Sequence, residues 1–397
     1  MEYSESAIFD QAVQALDSFQ IEIPSWGFAN TGTRFGKFVQ AGAASTLEEK
    51  FADAAEVKRL TGATPSLALH VLWDLPEGIR DVAEVQNLER QFGVRAGSIN
   101  PNLFQDQEYK YGSLCNPSAE VRGHAVKHML DSVEIAKCLG ARDLSLWLPD
   151  GSNYPGTQSI RKRIAWLEEA LRTTHDHLAP DQRLLIEYKP FEPAFYHTDI
   201  GDWGMSSHLA RHAGPQARVL VDTGHHYATQ NIEQIVAWLL HTGLLGGFHF
   251  NDRRYADDDL TLGSIDPYQI FRIFHEIHAA EEDGLTLDIA FMIDQSHNLK
   301  GKIEATVQTI VTAQELWLKA ALVDRKQLSR LQQSCDLVAA EELFRGAFWR
   351  DVRPLAAEWR KARGLPASPL AALRESGYVD HIIRQRGGRT SVVNSYA

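Results

Sequence analysis

The sequence predicts a (β/α)8 TIM barrel carrying an additional C-terminal helical segment, on three observations. Eight short runs rich in β-branched and apolar residues alternate with longer segments of helical periodicity, the pattern of repeated βα units around a parallel sheet. Eight is the number of such repeats that closes a barrel. The first run is followed by Gly-Phe-Ala-Asn-Thr-Gly-Thr-Arg-Phe, whose glycine spacing differs from the Gly-x-Gly-x-x-Gly turn with which an open doubly wound sheet announces a nucleotide site.

In chain order the runs span residues 21–26, 66–73, 96–100, 143–148, 184–189, 219–223, 246–250 and 287–293. Between them, 124–139 sets Val126, Met129, Leu130, Val133 and Ile135 near one helical face, and 160–175 has the same character. Residues 303–322 close the pattern. A charged helical stretch follows, with Leu328, Leu331, Leu337, Leu343, Phe344 and Phe348 as its apolar positions. The expected organisation is a catalytic barrel over 1–322 and a helical, oligomer-forming extension over 323–397. Trp349, Trp359, Arg350, Arg353, Arg360 and Arg363 suit packing on the barrel or on another subunit. The last dozen residues, from Arg386 on, read as a frayed end.

Composition narrows the partners. A formal charge of -12 and a pI near 5.7 argue against nucleic acid, whose binding is driven by lysine and arginine displacing counterions. There is no run of 18 apolar residues and no charged N-terminal region leading into an apolar core, so neither a membrane span nor a signal peptide is expected, and the location is expected to be cytoplasmic. Cys115, Cys138 and Cys335 are odd in number and far apart, and are expected to be ordinary buried or partly buried thiols.

In such a barrel the C-terminal strand ends share one mouth, so the ends of the runs read as a site. They carry Trp26, His70 with Trp73 and Asp74, Asn100, Trp147 with Asp150, Glu187 with Lys189, Asp222 with His225, His249, and Asp294 with His297. Period-two alternation places Glu187 and Lys189 on one face of the fifth strand and Leu220 and Asp222 on one face of the sixth. Glu187, Asp222, His249 and Asp294 come from four successive runs. Three carboxylates and an imidazole suit manganese, cobalt or magnesium better than thiolate-loving zinc. The loops just beyond add His225, Asp257 and Asp259 as a second cluster. Five carboxylates in one mouth repel unless cations sit among them, and two divalent ions nearly balance their charge.

A plainer account competes. One strand-end aspartate is more often a helix cap, and an Asp-Asp-Asp run taken alone is usually a solvated turn. Four successive strands ending in metal-competent groups favour the ions, with Asp258 left solvated. Lys189 either neutralises a carboxylate or serves the reaction, and Trp26 and Trp147 either plug the barrel top or offer faces for a sugar ring to stack on.

These residues stand in motifs that resemble the L-rhamnose isomerase family in its broad-specificity bacterial branch. The likeness rests on Pro24 to Gly27, Gly32 to Phe35, Tyr109 to Leu114, Asp150 to Gly156, Glu192 to Tyr196, Gly-Gly-Phe-His-Phe-Asn-Asp from Gly246, and Met-Ile-Asp-Gln-Ser-His-Asn from Met292, and covers nearly the whole chain. It implies a xylose isomerase-like barrel with a long helical tail, a homotetramer, and activity with manganese or cobalt. It implies that Glu187, Asp222, His249 and Asp294 bind a structural metal, and that His225, Asp257 and Asp259 hold the catalytic one, with Glu187 reaching toward both. Phe35 matches an aromatic donated across a subunit boundary to the neighbouring pocket. Departures are modest: Glu187-Tyr188-Lys189 stands where members can carry Glu-His-Lys, and the chain starts later than members with a longer helical lead-in, which is therefore expected to be absent or rearranged.

The expected activity is aldose to ketose isomerisation of a monosaccharide, with L-rhamnose, D-allose, D-allulose, L-mannose and L-lyxose as reasonable substrates. Two cations would assist a hydride shift between C1 and C2; proton abstraction by a carboxylate through an enediol is the other route. Lys189, Asp294 and His225 are the expected catalytic residues, and Trp26, Phe35, His70, Asn100, Trp147 and Lys189 the expected substrate contacts. A barrel ketose 3-epimerase is the nearest rival. A metallohydrolase or nuclease is disfavoured by the acidic charge, and a non-catalytic sugar-binding barrel by the retention of every expected ligand.

Overall fold

The computed structural model describes residues 5–30, 32–33, 36–37, 39–149, 152, 154–190, 198–255 and 257–387. Its centre is an eight-stranded parallel sheet of β1 (Ile23–Pro24), β2 (Ser66–His70), β3 (Arg95–Asn100), β4 (Asp143–Leu146), β5 (Arg183–Glu187), β6 (Ala217–Asp222), β7 (Leu245–Phe250) and β8 (Ala290–Ile293), paired in chain order. Glu22 closes the ring onto β8: its N–H donates to Phe291 O at 2.8 Å and its carbonyl accepts from Ile293 N at 2.9 Å.

The strands coincide with the eight apolar runs, but several runs overshoot. The first shrinks to two residues because Pro24 has no N–H to donate and Ser25–Phe28 winds into a 3-10 turn. The last begins only at Ala290, after the turn at Gly284 (φ 89°) and an irregular approach. A two-stranded antiparallel pair, Gly32–Thr33 with Gly36–Lys37, is an addition the runs did not suggest. Phe35 lies outside the described residues.

Helices α1 (Glu5–Ser18), α2 (Leu47–Thr61), α3 (Val82–Phe92), α4 (Ala119–Leu139), α5 (Ile160–His175), α6 (Trp203–Ala213), α7 (Ile232–His241), α8 (Pro267–Glu282) and α9 (Lys302–Ala321) surround the sheet. Helix α1 packs on α9, with Trp317 Nε1 donating to Ala15 O at 2.9 Å. Most apolar burial lies between strands and helices, and a small separate cluster of Leu185, Leu220 and Met292 fills the barrel interior. None of the described helices is long and apolar enough to cross a membrane.

Beyond α9, α10 (Arg325–Gln333), α11 (Leu337–Trp349), α12 (Arg353–Ala362), α13 (Pro369–Ser376) and α14 (Tyr378–Arg386) fold back on the barrel. Trp359 is buried and donates to Asp17 Oδ1 at 3.0 Å, while Arg360 donates to Gln314 Oε1 at 2.7 Å. Trp349, Arg350, Arg353 and Arg363 stay exposed. Arg386 grips Asp53 of α2 with both Nη atoms, at 2.7 and 2.8 Å, and Tyr378 OH donates to the same carboxylate at 3.0 Å. Arg386→Met, which strands a buried carboxylate, should cost about 3–5 kcal/mol, read as a lowered denaturant midpoint; an unchanged midpoint would mean the pair contributes nothing net. Residues 388–397 lie outside the described residues. The cysteines correct one expectation: Cys115 is buried, but Cys138 and Cys335 are exposed, Cys335 in a left-handed turn (φ 57°) just after α10.

Candidate metal centre

The strand pleat builds this site from below. Leu185, Leu220 and Met292 form the apolar floor, and two residues further along the same strand paths come Glu187, Asp222 and Asp294. On β7 the corresponding floor position is Gly247, where a Cβ would lie 2.9 Å from Ala290 O and 3.2 Å from Leu220 Cδ1. Glycine there keeps clear of the Ala290 carbonyl, a backbone atom that cannot readily give way. His249, two residues on, then shares the level of the three carboxylates, with its Nδ1 3.3 Å from Glu187 Oε2, 3.7 Å from Asp294 Oδ2 and 3.9 Å from Asp222 Oδ2.

Two ligand-grade groupings result. Glu187, Asp222, His249 and Asp294 offer one atom each within 4.8 Å of one another, as do Asp222, His225 and Asp257. Asp222 thus belongs to both. Glu187 touches both histidines, since His225 Nδ1 lies 3.1 Å from Glu187 Oε1. His225 Nδ1 also approaches Tyr188 O at 3.1 Å; a proton donated there turns Nε2 toward Asp257 Oδ1, 3.2 Å away. Asp259 lines the same cavity in a left-handed conformation (φ 47°) without joining either grouping. Between the two, exposed Asp258 accepts from Arg254 N and Tyr255 N at 2.6 and 2.8 Å and so turns the loop.

Above the acids stands an aromatic wall. His70 stacks on Trp73 at 3.7 Å, Phe104 meets Trp147 edge-on at 5.0 Å, and Trp26 donates from Nε1 to Asp294 Oδ1 at 2.9 Å. His70 Nδ1 lies 3.0 Å from Val71 O, and burial lowers this imidazole to about 4, so it is neutral with Nε2 left as an acceptor. Together with Asn100, Pro101 and Ser145 these residues enclose a cavity of about 180 Å³. That is smaller than the roughly 300–1,000 Å³ of drug-sized pockets. Lys189 Nζ sits 2.5 Å from Asp257 Oδ2 and 5.2 Å from the Trp147 ring centre.

Phe104 had no signature in the sequence beyond an apolar residue in a polar loop. Two expected members serve elsewhere. Asp74 is a structural clamp that accepts from Lys50 Nζ (2.5 Å), Ser25 Oγ (2.5 Å) and His70 N (2.8 Å). His297 turns to Gln295 Oε1 and Thr261 Oγ1. Asp150 lies outside the described residues.

Burial and close charges shift these acids and imidazoles strongly. Burial raises the Asp222 carboxyl to about 7, and burial with Asp257, Asp294 and Asp222 holds Asp259 well above the carboxylate range. Burial alone would lower the histidines, but the carboxylates outweigh it: Glu187 chiefly lifts His249 to about 9, and Asp222 with Asp257 lifts His225 well above its ordinary value. Against its own burial, Glu187 is held at about 2 by His249 and His225. Protons are therefore held tightly on His225, His249 and Asp259, while Glu187 and Asp257 stay ionised. Among the described residues, the buried Glu187 Oε1 and His249 Nδ1 nevertheless have no partner in hydrogen-bond geometry, which fits a donor set shaped for a metal.

A pH prediction follows from these directions. His249, His225 and Asp222 hold protons more tightly folded than unfolded. Their stabilisation is complete below the unfolded values, near 6.5 for histidine and 3.8 for aspartate, and is lost as pH rises through about 7 for Asp222 and about 9 for His249. Glu187 acts oppositely, only below its ordinary value and toward about 2. Chelated protein should lose melting temperature between pH 6 and 9, and saturating manganese should remove that loss because ligands must be deprotonated to bind. Parallel curves with and without metal would contradict this.

Comparison with known proteins agrees with this geometry. Residues 64–294 match the family described as xylose isomerase-like TIM barrel. A protein of Mesorhizobium japonicum named "Probable sugar isomerase" is 38% identical over 388 residues, covering 95% of this chain and 89% of its own. One of the same description from Rhizobium meliloti is 38% identical over 375 residues, covering 93% and 86%. Among solved structures, a xylose isomerase domain protein from Alicyclobacillus acidocaldarius superposes with a TM-score of 0.54 at 17% identity, over 77% of this chain and 99% of that one, a likeness of fold alone.

Proposed function

From the chain's membership of the xylose isomerase-like TIM barrel family, we propose that it is a metal-dependent aldose–ketose isomerase of the L-rhamnose isomerase type, acting also on D-allose, D-allulose and related sugars. The observation that carries this reading is the pair of ligand groupings joined through Asp222 beneath a small aromatic-walled cavity. Glu187, Asp222, His249 and Asp294 would hold one divalent ion, and His225 and Asp257 with Asp222 the second, Asp259 standing beside it. Manganese fits the oxygen-rich set best, with cobalt or magnesium as substitutes. Bound there, such ions supply Lewis acidity to the oxygens on adjacent sugar carbons.

The protein's own groups account for the rest. Trp26, Trp73, Phe104 and Trp147 exclude water and offer apolar faces to the sugar. His70 accepts a hydroxyl proton at Nε2, and Asn100 adds a polar contact. Lys189, held between Asp257 and the Trp147 ring, donates from Nζ to a sugar oxygen as negative charge develops. Asp294, steadied by Trp26 Nε1, and His225 would act as deprotonated ligands beside the reacting carbons. Were ions held there, Lys189 and their Lewis acidity would together stabilise oxyanion charge, and a hydride shift between C1 and C2 would need no carbon-facing base. We place the enzyme in the cytoplasm as a homotetramer, with the helical extension over 323–397 forming oligomer contacts and Phe35 serving a neighbouring pocket.

The test is a panel of aldoses and ketoses run on chelated and on manganese- or cobalt-reconstituted protein. Metal-dependent interconversion of L-rhamnose and L-rhamnulose is expected, with the C2 hydrogen retained in the product. Substantial exchange of that hydrogen with solvent would exclude the hydride shift. Inversion at C3 without aldose formation would instead identify a 3-epimerase, and sugar binding without turnover a non-catalytic barrel.

A further inference from the structure

Arg253 takes no part in the chemistry above, yet it is 8% exposed and engages Nε and both Nη atoms. It lies on the loop after β7, between His249 and Asp257. Nε donates to His226 O at 2.6 Å, Nη1 to Thr223 O and Gln269 Oε1 at 3.1 Å each, and Nη2 to Tyr227 O at 3.1 Å. The three carbonyls belong to the loop after β6 and bracket His225 from both sides. Each of the four acceptors is a neutral oxygen, so the guanidinium works here through its shape, a planar fork that reaches three separated carbonyls at once.

The loop that carries Arg253 is itself closed. Asp252 and Leu260 exchange backbone hydrogen bonds at 2.9 and 2.8 Å, and the Asp252 carboxylate accepts from Ile265 N at 2.7 Å and Asp266 N at 3.0 Å. Asp257 rides on this closed loop. One side chain therefore fastens the loop of His225 to the loop of Asp257, the two elements whose meeting creates the second grouping. The first grouping does not depend on that fastening, because Glu187, Asp222 and His249 are strand residues and Asp294 directly follows β8.

We infer that Arg253 is a positioning residue for the second ion, one that holds His225 and Asp257 at ligand spacing without touching either the ion or the sugar. The inference rests on the two-ion reading. An independent hold on the same loop, Tyr188 OH against His226 Nε2 at 2.6 Å, supplies a second handle.

The experiment is calorimetric titration of chelated wild type, Arg253→Met, Arg253→Lys and Tyr188→Phe with cobalt, with folding followed by near-UV circular dichroism. Wild type should bind two ions. Both Arg253 variants should keep the first within about threefold and lose roughly 10–100-fold on the second, the range typical of supporting groups around a metal. Lysine should fail to rescue because it restores charge but not the fork, and Tyr188→Phe should weaken the second ion alone, by less. Two ions bound with unchanged affinities in a folded Arg253→Met protein, or equal weakening of both, would overturn the inference while leaving the two-ion reading intact. A single ion on wild type would overturn both. Should the Arg253 variants not fold, an unchanged second ion in Tyr188→Phe overturns the inference by the same criterion.

Discussion

Asp222→Asn is expected to abolish turnover, by on the order of 10³-fold or more, and to weaken both ions together. The carboxylate is fully buried, belongs to both ligand groupings, and has its geometry fixed by Gly224 N at 2.6 Å and Asn251 Nδ2 at 3.0 and 3.2 Å. An amide keeps the volume but removes the charge. Each roughly 1.4 kcal/mol of lost transition-state stabilisation is tenfold in rate, and a metal's charge stabilisation is worth several kcal/mol. Stability of the metal-free protein should move the other way. Because burial raises Asp222 to about 7, its ionisation opposes folding at pH 8, and metal-free Asp222→Asn should melt no lower than metal-free wild type. Metal content, activity and chelated melting temperature check the three parts, and wild-type turnover would remove the site from consideration.

Lys189→Met should lower kcat by about 10²–10³-fold, the range for removing one donor aimed at developing negative charge. Its signature differs from that of a ligand. The ammonium faces Asp257 Oδ2 at 2.5 Å, and against the burial of that carboxyl His225 first and Lys189 second hold it far below its usual range. Losing the lysine removes a competing cation from Asp257, so metal should bind the variant at least as tightly as wild type while turnover collapses. Titration and kinetics together decide this; parallel losses of metal and activity would make Lys189 a structural counter-ion instead.

The strand ends were legible because a parallel barrel translates the last inward residue of each apolar run into a position at the mouth, and period two needs no long-range information. That logic assembled Glu187, Asp222, His249 and Asp294 from four separate segments. It could not see which acid is shared, since whether Asp222 or Glu187 bridges depends on loop paths that bring His225 back over the sixth strand. Asp259 sits in the cavity, yet outside both groupings, because its left-handed backbone sends it off the period-two line from Asp257. Asp74 and His297 shared the pattern of the functional residues and were claimed by Lys50 and by Gln295 instead. Arg253 was silent in the sequence for a related reason: three of its four partners are backbone carbonyls, which carry no residue identity to read.

Gly247 and its neighbours on the barrel floor also bear on how such a pocket changes. Glu187, Asp222, His249 and Asp294 are each tied by the pleat to whatever stands two residues before them, so the height of these four donors is set by an apolar layer that never meets the substrate. A larger residue in place of Leu185 or Met292 would lift its strand end, and a smaller one would let it sink, altering the depth at which a sugar rests without replacing any donor. Diversification among related barrels can then proceed from beneath, through volume alone, with the charged layer preserved.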